Sequence, residues 1–256
     1  MKILFVGDVV GPAGVNCARV CLPRLKRRLG VDFTVVNCEN ASATSGVLPA
    51  AARELLDAGA DLLTGGNHSF GKKQMLDELE ENPRILRPAN YPSGAPGRGR
   101  FDLDCGAYGL TVINLIGRVF LDPLESPFVV LERELSRDPG RIVLVDFHAE
   151  ATSEKRALAY FADGRITALC GTHTHVQTAD ARVLPGGTGF LTDAGMTGVI
   201  DSNLGADDSV VLNRFLTGLR APLALAEGKA ALCGALIDAD EKTGCCRSIT
   251  AVREEE

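Results

Sequence analysis

Tryptophan is absent, and Phe, Trp and Tyr together make only 5% of the 256 residues. So few rings give no obvious platform for stacking single-stranded nucleic acid. Positive charge is also short. Against 33 Asp and Glu there are 27 Lys and Arg, a formal net charge of -6, the opposite of the basic excess in proteins that coat nucleic acid. No apolar run reaches the roughly 18 residues of a membrane span, and Met1–Asp8 shows neither a basic leader nor a cleavage site. These lacks predict a cytoplasmic protein with no membrane partner. The eight cysteines include no C-x-x-C pair, which argues against a zinc ribbon or a disulfide framework and for inert thiols in a reducing compartment. No phosphate-binding P-loop occurs, and Gly7, Gly11 and Gly14 miss the G-x-G-x-x-G spacing, so they read as turn formers.

What is present is a regular alternation of short apolar runs and amphipathic stretches. Ile3–Val6, Phe33–Val36 and Leu62–Thr64 read as strands. Helical patterns follow each of them: Val15–Leu29, Leu48–Ala58 with Gly59 as C-terminal cap, and Lys73–Glu81. Pro83–Arg100, rich in Pro, Gly and Arg, reads as a long surface loop. Strands are predicted over Tyr108–Leu115, Ile142–Phe147 and Ile166–Cys170, and helices over Val129–Leu135 and Glu154–Phe161. Beyond these lie strand patterns at Arg182–Leu184, Gly189–Leu191, Leu223–Ala226, Ala231–Ile237 and Ser248–Val252, a helical stretch at Val210–Leu216, and a frayed tail at Arg253–Glu256. The β-α-β-α-β-α opening predicts a largely parallel sheet with right-handed crossovers. With no repeat and no linker, residues 1–256 read as one domain.

Polar residues fall at the ends of these strands. Asp8, Glu39 and Asn67-His68 each follow an apolar run, 31 and 28 residues apart, about one βαβ unit each. His148 and His173/His175 repeat the pattern, so all four histidines of the chain sit at strand ends. The carboxyl ends of parallel strands share one edge, where ligands bind. Asp8, Glu39, Asn40, Asn67, His68, His148, His173 and His175 are therefore expected to converge. Residues two apart in extended chain face the same way, which suits His173 and His175 to a shared ligand. Four imidazoles, two carboxylates and two amides exceed what one tetrahedral zinc needs. They suit two divalent ions, with Glu39 as the bridge because Asp8 and Asn67 are expected on the strands flanking its own.

The run Gly7-Asp8, Glu39-Asn40, Gly66-Asn67-His68, His148 and Gly171-Thr172-His173-Thr174-His175 resembles the calcineurin-like binuclear metallophosphoesterases. It departs from their pattern: Val9-Val10 follow Asp8, so the histidine of D-x-H is missing, Glu39-Asn40 stand where an aspartate is usual, and Ser69 follows His68 in place of an acid. Those departures are similar to the YmdB-like bacterial phosphodiesterases. The resemblance implies a four-layer αββα sandwich and hydrolysis of phosphodiesters, notably 2′,3′-cyclic nucleotides. It puts Asp8, Glu39, Asn40 and His175 on one metal ion and Glu39, Asn67, His148 and His173 on the other, with Asn40 replacing the lost histidine. It makes His68 the acid that protonates the leaving oxygen after hydroxide generated between the ions attacks phosphorus. A hard amide oxygen tilts the site towards Mn or Fe, with Zn and Mg as alternatives.

Other readings remain beside these. Asp8 alone could cap the first helix. Glu150 reads as a neighbour of the ligands rather than a ligand. Arg24, Lys26, Arg27 and Arg28 complement a helix C-terminus, while Arg98, Arg100 and Arg118 are weak candidates to attract an anionic substrate. A phosphomonoesterase on the same site is the near rival. A zinc deaminase is a remote one, since His148-Ala149-Glu150 matches H-x-E but no P-C-x-x-C follows. A metal-bound scaffold for RNA-processing partners, and a homo-oligomer, also stay open.

Overall fold

The computed structural model describes residues 1–43 and 45–256. Its elements in chain order are β1 (Lys2–Val6), β2 (Asp8–Val9), α1 (Gly11–Leu29), β3 (Phe33–Asn37), α2 (Pro49–Asp57), β4 (Leu62–Thr64), α3 (Met75–Glu81), β5 (Arg100–Asp104), β6 (Gly109–Ile116), α4 (Pro127–Leu135), β7 (Ile142–His148), α5 (Thr152–Phe161), β8 (Ala168–Thr172), β9 (Arg182–Val183), β10 (Gly189–Leu191), β11 (Met196–Val199), α6 (Asp208–Thr217), β12 (Ala230–Ala239) and β13 (Cys246–Glu255). Two sheets form. One runs β2-β11-β12-β1-β3-β4 with β13 added beside β12; the other runs β5-β6-β7-β8-β10-β9. Within them β1, β3 and β4 are mutually parallel, as are β6, β7, β8 and β10.

The central strands of both sheets are apolar on both faces, and each face finds a partner. Phe5, Val35 and Leu62 of the first sheet meet Val112, Leu144 and Cys170 of the second in a core between them. Leu4, Val6, Val36 and Leu63 turn the other way onto Leu22 and Leu25 of α1 and Leu55 of α2. Val143, Val145 and Leu169 pack on Val130 and Leu131 of α4 and Leu158 of α5. Alternate residues of a strand point to opposite faces, so continuous apolar runs such as Ile3–Val6 are what a sheet covered on both sides requires. The result is the αββα layering that the resemblance implied.

Several elements differ from expectation. α1 begins at Gly11, not Val15, because Pro12 occupies its first turn with a preset φ. Asp8 is not its cap. Val10 holds that position without a side-chain bond, and Asp8 lies in β2, paired with Met196. Residues 223–226 form only an isolated bridge, Ala206 to Leu225, rather than a strand. The tail is not frayed: β13 stays in register through Cys233↔Arg253, Leu232↔Glu254 and Ala231↔Glu255. Its charges pair with Arg28 and Lys229 along the open edge, which also discourages pairing with other chains. Within the loop 83–100, residues 84–86 run parallel to β4 through Leu63↔Ile85.

Candidate metal centre

The strand order β1-β3-β4 puts Glu39 between Asp8 and Asn67, as expected from the sequence. The second sheet brings His148 and the His173–His175 loop to the same rim, with His148 in register beside Thr172. The rim is thus shared by two sheets rather than one. All eight residues singled out above meet there.

His148 is the hub. Its Nε2 lies 2.9 Å from Asn67 Oδ1, 3.0 Å from His173 Nδ1 and 3.2 Å from Glu39 Oε1. One ring nitrogen carries at most one proton and cannot bond all three. Glu39, His148 and His173 bring their ligand atoms within 4.8 Å of one another and form a group able to hold a cation. Beside it, Asp8 Oδ1 stands 3.9 Å from His175 Nε2 and 3.8 Å from His148 Nδ1. Asn40 Nδ2 reaches Glu39 Oε1 at 2.9 Å and His175 Nε2 at 3.4 Å; as a ligand it must present its Oδ1 instead. His68 donates its backbone N–H to Glu39 Oε2, and its ring Nε2 lies 3.1 Å from Asn67 Nδ2.

Two observations fit this set to metal ions. Asp8 is fully buried, and its Oδ1 has no hydrogen-bond partner among the described residues, a cost a native protein rarely carries without cause. At Gly66, a Cβ would come within 2.3 Å of Glu39 Oε2 and 2.4 Å of His148 Nε2. The missing side chain leaves the hollow into which these ligand atoms point.

Charge follows the same lines. Burial pushes the Asp8 carboxyl up against the pull of His175 and His148. Burial works likewise on Glu39, but the charge and hydrogen bond of His148 and the His68 N–H outweigh it and hold Glu39 at about 2. His148 is raised to about 9, since Glu39, Asp8 and Asp146 overcome its desolvation. His173 is lowered to about 4 by burial and by His148. A cation held here would displace the proton that His148 otherwise holds between carboxylates.

Residues that strand-end reasoning missed lie beneath the rim. Thr172 Oγ1 donates to Asp146 Oδ1 at 2.7 Å and so accepts from His148 Nδ1 at 3.0 Å. That leaves the Nε2 lone pair of the neutral ring for the cluster. Asp146 also accepts from Thr64 and from Asn37, tying β7 to β3 and β4, and burial raises its carboxyl to about 6. Asp193, paired with the buried Lys155 at 2.7 Å, accepts from the backbone and hydroxyl of Thr174. It follows the apolar strand β10 just as Asp8 follows β1, the signal that would have found it. Lys155 is hidden inside the ordinary amphipathic pattern of α5. Glu150 Oε2 touches His173 Nε2 at 3.1 Å, the neighbouring position expected of it. Among the described residues no hydrogen bond or ion pair joins Arg98, Arg100 or Arg118 to the cluster; Arg100 is taken up by Asp102 and the Glu134 carbonyl. The thiol needed for a deaminase is lacking, because Cys170 is buried between the sheets and burial pushes it far up.

Two facing sheets flanked by helices, with a polar cluster on their common strand-end rim, define a calcineurin-like αββα sandwich. The chain belongs to the YmdB-like protein family, whose model matches residues 4–252. A Bacillus subtilis protein named 2′,3′-cyclic-nucleotide 2′-phosphodiesterase is 45% identical over 95% of this chain and 93% of its own length. Among solved structures, a hypothetical protein from Thermus thermophilus is 41% identical, with a TM-score of 0.95 over all of both chains. A novel phosphatase from Mycoplasma pneumoniae is 32% identical, with a TM-score of 0.95 over all of this chain and 94% of that one.

Proposed function

We propose that this protein is a metal-dependent phosphodiesterase that hydrolyses cyclic nucleotides of the 2′,3′ class, with the 2′ ester of the Bacillus relative's name as the bond cut. The observation that carries the reading is the buried, partnerless Asp8 Oδ1 beside a histidine–carboxylate–amide cluster open at Gly66. Asp8, Glu39, Asn40 and His175 would hold one divalent ion, and Glu39, Asn67, His148 and His173 the other. The hard amide and carboxylate oxygens favour Mn or Fe. When bound, two such ions activate water near neutral pH and offset charge on phosphate oxygens.

The chain's own residues supply the rest. Glu39 anchors the His68 backbone, and Asn67 lies beside its ring nitrogen, so the imidazole stands at the edge of the cluster. In hydrolysis, water oxygen bonds to phosphorus and releases a proton to solvent, the bond to the ribose oxygen breaks, and that oxygen takes a proton from the His68 imidazolium, which solvent then reprotonates. Asp146 and Thr172 keep the proton of neutral His148 on Nδ1. The unpaired cysteines fit the reducing cytoplasm expected from the sequence.

The test is elemental analysis of the protein reconstituted with Mn(II) or Fe(II), followed by turnover of 2′,3′-cyclic AMP, 3′,5′-cyclic AMP and a phosphomonoester. Two ions per chain and preferred cleavage of the 2′,3′-cyclic diester are expected. His68→Ala should keep both ions and lose about 10²–10⁴-fold in turnover. Loss of metal in His68→Ala makes His68 a ligand, and preferred cleavage of the monoester overturns the diesterase reading.

A further inference from the structure

The loop 83–100 is not spent on the catalytic cluster, yet it walls a cavity of about 840 Å³. Its position follows from pairing. Residues 84–86 run parallel to β4 with Ile85 opposite Leu63, so Arg87 arrives level with Gly65, two residues before Asn67. The cavity therefore adjoins the strand-end rim on the side away from Asp8. Tyr91, which lines it, packs edge-on against Phe70 at 5.0 Å, two residues beyond His68.

The charges lining the cavity are unbalanced. Asp102 is taken by Arg100, Glu125 by Arg133 and Glu134 by Arg137. Glu80 accepts from the backbone of Gly97. Arg87 and Arg98 form no ion pair among the described residues, and they are neighbours through the Arg87 N–H to Arg98 carbonyl bond. Arg87 is only 6% exposed. Its Nη1 and Nη2 bond the carbonyls of Pro88 and Ala95, and its Nε has no partner. The charges of Glu80 and Glu134 reach it, but no carboxylate pairs with it directly, which is uncommon for a buried guanidinium.

We infer that this cavity is a second anion subsite, built by Arg87 and Arg98 for a phosphate group. Guanidinium matches a phosphate's oxygens in shape and charge. Because the subsite adjoins the cluster on the His68 side, its occupant is the next phosphate of a longer substrate, an oligonucleotide ending in a 2′,3′-cyclic phosphate. This last step rests on the phosphodiesterase reading. The anion subsite itself does not.

The experiment has two arms. In the first, the metal-stripped full chain is titrated with inorganic phosphate by calorimetry. Wild type should bind, and Arg87→Met should bind roughly tenfold more weakly. In the second, the Mn-loaded enzyme is given 2′,3′-cyclic AMP and a dinucleotide with the same terminal cyclic phosphate. Arg87→Met should raise KM for the dinucleotide roughly tenfold and leave kcat/KM for the mononucleotide unchanged, with Arg87→Lys between the two. Weakened phosphate binding without any change for the dinucleotide upholds the subsite but assigns it to a separate phosphate-bearing ligand. Equal phosphate binding and equal kinetics in wild type and Arg87→Met overturn it. If wild type turns over neither nucleotide, the diesterase reading fails while the first arm still decides the subsite. Should Arg87→Met not fold, the exposed Arg98→Met and Ser93→Glu apply the same test from the rim, by removing a positive charge or adding a negative one.

Discussion

Gly66 shows how one absent methyl can define a site. Its backbone does not lie in the left-handed region, so alanine meets no conformational penalty there, yet the new Cβ would sit 2.3 Å from Glu39 Oε2. Gly66→Ala should therefore push Glu39 and His148 aside, cost about 1–3 kcal/mol of metal-free stability and bind metal at least 10–100-fold more weakly, as chelator competition would read. Metal bound at wild-type affinity would show that the hollow is not the ion's place. Asp146 acts through others. It accepts from Thr64, Thr172 and Asn37 at once. An amide in its place turns an NH2 towards one of those donors and releases Thr172 from orienting His148. Asp146→Asn should lower metal affinity 10–100-fold while turnover per metal-loaded chain is unchanged. The carboxylates, amides and histidines of the cluster were legible in the sequence because each ends an apolar run. Asp146 was not, because it lies within a strand and faces inward, two residues before a histidine that draws the eye.

The loop after β8 holds two ligand candidates in uncommon backbone: His173 at φ 100° and His175 at φ 65°. Non-glycine residues stay there only when surroundings over-determine them. Here the Thr174 N–H and hydroxyl bond Asp193, the His173 N–H bonds Asp8, and the Leu204 carbonyl lies 3.0 Å from His175 Nδ1. Lys155, fully buried on α5, neutralises Asp193. Lys155→Met should cost about 3–5 kcal/mol in urea unfolding, because it strands a buried carboxylate. Adding Asp193→Asn should recover part of that stability but not the metal affinity, since the loop's anchor is weakened too. Full recovery of both would deny the loop any dependence on the pair. Elements with long periodic cores were readable: α1, β3, β7 and β12 all lie within a few residues of expectation. The two-residue β2, the short β11 and the charge-bearing β5 were not, because their partners, not their own residues, make them strands. Charge likewise disguised the end of β13 as a tail, although ion pairs on an edge strand serve its pairing.

The four layers could not be read from periodicity alone. The early βαβ units predict one parallel sheet, whereas the chain returns through β12 antiparallel to β1 and builds a second sheet against the first. Closing two sheets on one rim concentrates four histidines and two carboxylates in a protein whose net charge is otherwise negative, and that makes stability depend on what occupies the rim. Without metal, His148 keeps a proton to about pH 9 against an ordinary value of 6.5. A raised pKa means stabilisation that is complete below pH 6.5 and lost as pH climbs through 9, on the order of 3 kcal/mol for this buried group. With metal bound, the proton is already gone, and each ion adds about 2.7 kcal/mol when present at a hundred times its dissociation constant. Thermal melts of the metal-stripped chain should therefore fall between pH 6.5 and 9, at roughly 2–4 °C per kcal/mol, while the Mn-loaded chain stays level or rises as protons stop competing for the ligands. His148→Gln should flatten the metal-free curve. A metal-free wild type whose melting point is constant over that range would mean that Glu39 and Asp8 do not hold a proton on His148, and that the cluster waits for its ions as neutral imidazole.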